Sequence, residues 1–178
     1  METGPENEFT YRGARALVLL HEREMRRFLE TWEEAAAVGL AMPPTEDPDC
    51  RTLEALLRHV LLAAMGYMVW ICRQLELPDP EIPPRPADLS TRAARTAWAD
   101  HLLECWRPPL REVGFDRFED REYPSPWKVR YCIDAMLEHA VMHPLRHRFQ
   151  LEELLAARHE RVQGEGRLIE PLSEPLGG

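Results

Sequence analysis

The sequence predicts an all-α protein, a four-helix bundle with one long crossover connection. Two observations carry this. Four long segments place apolar residues at steps of three and four, the period of one helix face. The stretches between them are rich in proline and glycine, and none alternates in the way a half-buried strand requires. Four long helices joined by loops bury their apolar stripes most simply against one another.

The first helix is expected over residues 10–38. Ala14, Leu17, His21, Met25, Phe28, Trp32 and Ala35 form its stripe, and Gly39 with the proline pair in "GLAMPPTEDPD" ends it. The second is expected over about 50–76, with Asp49 as a candidate N-cap. Leu53, Leu56, Val60, Ala64, Tyr67, Ile71 and Leu75 share one face, and from residue 59 the opposite face is also apolar, the pattern of a central helix. The crossover "LPDPEIPPRPADLS" holds five prolines, which exclude regular structure. Ser90 is a candidate cap for the third helix, about 91–107, with Ala94, Trp98, His101 and Cys105 on one side. After a second long connection, the fourth helix is expected from near Lys128 to about His159. Its inner face carries Cys132, Met136, His143, His147, Leu151 and Leu154. Residues 1–160 make the domain, and 161–178, "RVQGEGRLIEPLSEPLGG", read as a tail.

A chain of 178 residues is long enough for one real core. Its net charge of −9 argues against a nucleic-acid surface and against a polybasic membrane patch. The opening "METGPENEFT" is acidic and polar, unlike a signal peptide. The longest apolar run, 59–72, is shorter than the roughly 18–20 residues of a membrane span. A cytoplasmic protein is expected. Cys50, Cys72, Cys105 and Cys132 are scattered, with no paired metal-binding spacing, and read as small apolar groups.

The chemistry is carried by histidine. His139, His143 and His147 fall four residues apart in "LEHAVMHPLRHRFQLEELL". Positions four apart differ by about 40° around a helix, so two such imidazoles can hold one metal. Spacing alone leaves 139/143 and 143/147 both open. A third ligand should come from another helix, and His59 is the best placed, in an apolar segment where a ring nitrogen needs a partner. The plain alternative is a set of core histidines with no metal. His21 and His101 also lie on apolar stripes and read as satisfied core or boundary histidines, and His159 as exposed.

These residues bring a resemblance with them. "LLRHVLLAAMGYMVWI" and "HAVMHPLRHRFQLEELL" resemble the two histidine motifs of the DinB/YfiT-like superfamily of metalloenzymes, over roughly residues 10–159. The resemblance implies a divalent metal on His59, His143 and His147, and leaves His139 to orient a ligand or move a proton. It also implies a homodimer. Two departures stand out. Phe149 lies between Arg148 and Gln150 where the family often has glycine, and Pro144 follows His143 where it often has a polar residue. Proline removes the bond to the Ala140 carbonyl, so the helix is expected to kink or loosen near 140–144.

Three neutral imidazoles suit zinc or nickel, with iron or manganese as alternatives, and leave positions for water or substrate. Relatives in the superfamily include S-transferases and isomerases that use low-molecular-weight thiols, so the resemblance implies a small-molecule substrate and possible thiol chemistry. Tyr67 and Trp70, two to three turns beyond His59, could line the pocket or simply fill the core. The rival reading is a non-catalytic stress-response or binding protein with a structural or vestigial metal.

Overall fold

The computed structural model describes residues 9–86, 88–119 and 121–168. They are mainly helical. In chain order come α1 (Arg12–Ala37), a 3-10 turn (Pro48–Cys50), α2 (Leu53–Gln74), α3 (Arg92–Cys105) and the single turn α4 (Asp116–Glu119). A small hairpin follows, β1 (Tyr123–Pro124) and β2 (Arg130–Tyr131), and then α5 (Ile133–Leu168).

The stripe on α1 buries Ala14, Val18, His21, Met25, Phe28, Trp32 and Ala35. This face packs mainly against α5, whose buried positions Met136, Ala140, His143, His147, Leu151 and Leu155 also repeat at three and four. The helix α2 packs on both and on the 3-10 turn. It buries eleven of its residues, from Leu53 to Cys72, on a broad face, as its all-round apolarity demands. By length and composition alone α2 is apolar enough to cross a membrane, with a mean hydropathy of 1.6, but 56% of that window is buried inside the protein. Ion pairs help seat α3 and the residues just after it on α1. Arg95 meets Glu33 at 2.7 Å, Arg107 meets Glu22 at 2.6 Å and Arg26 meets Asp100 at 2.5 Å.

Helix ends follow from local chemistry. Gly39 adopts φ +59°, and the N–H groups of Gly39 and Leu40 bond the carbonyls of Ala36 and Ala35, a Schellman closure. α2 closes the same way through Glu76 and Leu77, although Glu76 must take φ +54°, which costs a non-glycine residue about 1 kcal/mol.

Several boundaries differ from expectation. Thr52, not Asp49, caps α2, its hydroxyl accepting from the Ala55 N–H at 3.0 Å. Asp49 sits instead in the 3-10 turn, which Asp47 caps. Thr91, not Ser90, caps α3. α5 begins at Ile133 because residues 123–131 are used by the hairpin, with Lys128 in its turn at φ +66°. Strands two residues long are below the length at which alternation shows in a sequence. α5 then runs as one helix through Pro144 and on to Leu168. The segment expected as a tail starts as helix, and its residues 169–178 lie outside the described residues.

His101 is exposed, because α3 turns Trp98, Ala99, Leu102 and Leu103 inward instead. His21 is fully buried, as a core histidine should be, but neither ring nitrogen has a hydrogen-bond partner among the described residues. It stacks on the Trp106 indole, centroids 3.7 Å apart and planes 12° apart. The described cysteines are all free thiols. Cys72 is buried and the other three are half-buried.

Candidate metal centre

His59 lies in the second turn of α2, and His143 and His147 lie on consecutive turns of α5. Their packing brings one donor atom from each ring within 4.8 Å of the others. His59 Nε2 and His143 Nε2 are 3.0 Å apart. Ring centroids separate by 4.8 Å for 59/143, 5.4 Å for 59/147 and 4.9 Å for 143/147. Three imidazoles from two helices therefore converge, and the pair on α5 is 143/147.

The outer edges of two rings are held. His59 Nδ1 is 3.2 Å from Asp49 Oδ2, and His147 Nδ1 is 3.2 Å from Gln150 Oε1. Each oxygen accepts, so each Nδ1 carries the proton and each Nε2 presents a lone pair toward the common point. This is the arrangement that orients a metal-binding imidazole. The 3-10 turn explains Asp49: with Thr52 capping α2, the Asp49 carboxylate is free to reach His59 in the second turn of that helix. His143 Nδ1 has no partner among the described residues.

The electrostatics suit neutral ligands. Burial, then the neighbouring His147, His59, Arg146 and His139, push His143 down to about 2. Burial also lowers His147, against the opposing bond to Gln150. Both rings are thus neutral, not imidazolium, at neutral pH, the charge state in which an imidazole binds a metal ion. The exposed Arg146 helps lower His139, His143 and His147 as a group, a cation that periodicity could not assign to the site.

The donor set fits a divalent ion. Nitrogens about 2.1 Å from one tetrahedral ion stand about 3.4 Å apart, close to the 3.0 Å between His59 and His143. The widest separation, 4.8 Å, exceeds that value, so at least one ring turns to bring all three to bonding distance.

His139 is outside the ligand group. Its centroid is 6.4 Å from that of His143, and its ring lies among Tyr67 at 5.3 Å, Tyr131 at 5.6 Å and Trp127 at 5.7 Å. Its plane lies within 26° of the Trp127 indole. Tyr67 and Trp70 line a cavity of about 400 Å³ that opens beside His59 and Asp49. Trp70 donates its indole N–H to the Pro124 carbonyl at 3.1 Å, which ties α2 to the hairpin. Burial pushes the Tyr67 phenol up to about 12, so it is a neutral donor at any physiological pH.

The remaining wall was not foreseen. Pro126 and Trp127, from the hairpin turn, close the cavity on one side. Gly66 floors it on α2, and a Cβ added there would meet nothing within 4 Å. A glycine inside a helix costs about 0.5–1 kcal/mol relative to alanine.

No family model, curated protein or solved structure matches the chain, so the site is read from its own geometry.

Proposed function

We propose that the protein is a divalent-metal-dependent enzyme of the DinB-like class, built as a four-helix bundle from α1, α2, α3 and α5. The convergence of His59, His143 and His147 carries this reading. Zinc or nickel suits the all-nitrogen donor set best. Held there, the ion would supply Lewis acidity that lowers the pKa of a thiol or of water brought to it.

The residues of the chain divide the remaining work. Asp49 and Gln150 fix the tautomers of His59 and His147. His139 supports the Trp127 indole from behind. The cavity is lined by His59 and can bring a small molecule beside that ligand, which favours catalysis over a closed structural site. By the motif resemblance, the reaction is thiol-dependent transfer or isomerisation, with a low-molecular-weight thiol as one substrate. A cytoplasmic homodimer completes the proposal.

Elemental analysis of untagged protein tests the site. One ion per chain in the wild type, and none in His59→Ala, His143→Ala or His147→Ala, is expected. An ion retained by all three variants would end the reading. A screen of bacillithiol, mycothiol and glutathione against a model electrophile tests the reaction, and no turnover with any of them would remove the thiol chemistry while leaving the site.

A further inference from the structure

The cavity beside the histidines says more than that a ligand can enter. On α2, His59, Ala63, Gly66 and Trp70 follow one another at steps of four, three and four, and all four line the cavity. They form one strip that runs away from the metal ligands. At 1.5 Å of rise per residue, His59 to Trp70 spans about 16 Å. The strip starts with a ligand, continues over two side chains too small to fill it, and ends on an indole.

Its walls are rings. Tyr67 stands nearly perpendicular to Trp127, with planes at 82° and centroids 6.1 Å apart. Trp127 is 43% exposed, a large apolar face left uncovered beside the cavity. His139 lies against it at 5.7 Å, too close for another ring to slide between them, so a ligand must lie on the cavity side.

The charges at the mouth are already engaged. Asp49 faces His59 through Oδ2 and Arg58 through Oδ1, at 3.2 and 3.8 Å. Beyond them the cavity presents the uncharged Leu62, Ala63, Gly66 and Pro126. An uncharged group suits this surface, and a flat one suits the rings.

Gly66 is the sharpest sign. It weakens its helix, yet alanine would fit with no neighbour to displace among the described residues. Core packing therefore gives no reason for glycine. Room above the α2 backbone for a ligand to approach does.

We propose that the substrate carries an uncharged aromatic group that lies flat over Gly66 against the Trp127 indole, with its reacting end at the three histidines. Placing the reacting end rests on the metal-enzyme reading. The aromatic trough stands on the cavity, Gly66 and Trp127, and is tested without metal.

Binding is measured by calorimetry with 2-naphthol and with its saturated counterpart 2-decalol, on metal-free and zinc-loaded protein. An aromatic pair contributes enough beyond buried area to favour 2-naphthol by roughly three- to tenfold. Gly66→Leu should fill the trough and weaken 2-naphthol at least about tenfold, while zinc stoichiometry stays at the wild-type value and Tm does not fall, since leucine favours the helix more than glycine. Trp127→Ala, at an exposed position, should erase the preference for the aromatic probe and guards against misfolding of the first variant. Equal binding of the two probes, or 2-naphthol binding indifferent to both substitutions, overturns the proposal. Loss of zinc binding with naphthol binding intact would instead remove the metal reading and keep the trough.

Discussion

Two buried histidines, His21 on α1 and His143 on α5, look alike by every one-residue measure. They are 0% and 5% exposed, and burial pushes their pKa values down to about 3 and about 2. Their surroundings differ. His21 is sealed against the flat face of Trp106, and its shift has burial as its sole cause. His143 has a second imidazole nitrogen 3.0 Å away, a third ring at 4.9 Å, and a cavity beside its neighbour. A depressed pKa therefore marks burial in both places and a site in only one. What distinguishes a site is the arrival of donors from a second element and an opening toward them.

The largest expected effect tests the sealed member. Below pH 6.5 the unfolded chain protonates His21 while the folded chain, with its value near 3, does not. Stability should therefore fall as pH drops from about 6.5 toward 3, by on the order of 4 kcal/mol across the window, and be unaffected by this group above it. His21→Phe keeps the stacked ring and removes the proton site, so urea melts across that range should lose this part of the slope. Zinc binding should stay at wild-type strength. Parallel pH profiles for the two proteins would show that His21 is not the group at work.

Next in size is the open member. His143→Ala should weaken zinc binding by more than about 100-fold, beyond the 10–100-fold that loss of an orienting partner costs. Added zinc should raise the Tm of the wild type, and that rise should be absent in His143→Ala, since binding stabilises only what it binds. A chelator-competition titration reads the first and a thermal melt the second. Zinc affinity unchanged in His143→Ala would make the two histidines equivalent after all.

The two regions were not equally legible in sequence. Periodicity predicted the helix that carries each histidine, because a stripe at steps of three and four is a direct consequence of helix geometry. It also predicted the pair 143/147 as one of two choices, and His59 as the third donor. It put His101 on an inward stripe that the structure turns to solvent, since short polar helices leave the phase of the stripe ambiguous within one position. It could not find Asp49. A carboxylate before a helix reads as a cap, and only the competing Thr52 hydroxyl frees it for His59. Nor could it find Trp127, which the turn of a hairpin with two-residue strands carries across to the cavity. Contacts made by turns depend on three-dimensional closure, and no local pattern encodes them. Gly66 was visible as a residue, but its meaning needed the open space above it.

Asp49 then gives the third prediction. It is the charged orienting partner that His21 lacks. Asp49→Asn keeps the shape and removes the charge, so zinc affinity should fall about 10- to 100-fold. The effect should be smaller than for His143→Ala because the ligand ring remains. An effect as large as that of His143→Ala would place Asp49 among the metal's own ligands.

Gln150 should give the smallest effect, and for a reason the other histidine makes plain. His147 Nδ1 meets a neutral amide oxygen at 3.2 Å where His59 Nδ1 meets a carboxylate at the same distance. A neutral hydrogen bond contributes about 1 kcal/mol, roughly half of what one to a charged group does. Gln150→Leu should therefore lower zinc affinity by less than about tenfold, below Asp49→Asn in the same titration. The ring would keep its burial, as His21 does, but lose the partner that holds its proton on Nδ1. If Gln150→Leu proved as damaging as Asp49→Asn, orientation and not charge would be what both partners supply. The line between a sealed histidine and a metal-binding one would then rest on the tautomer alone.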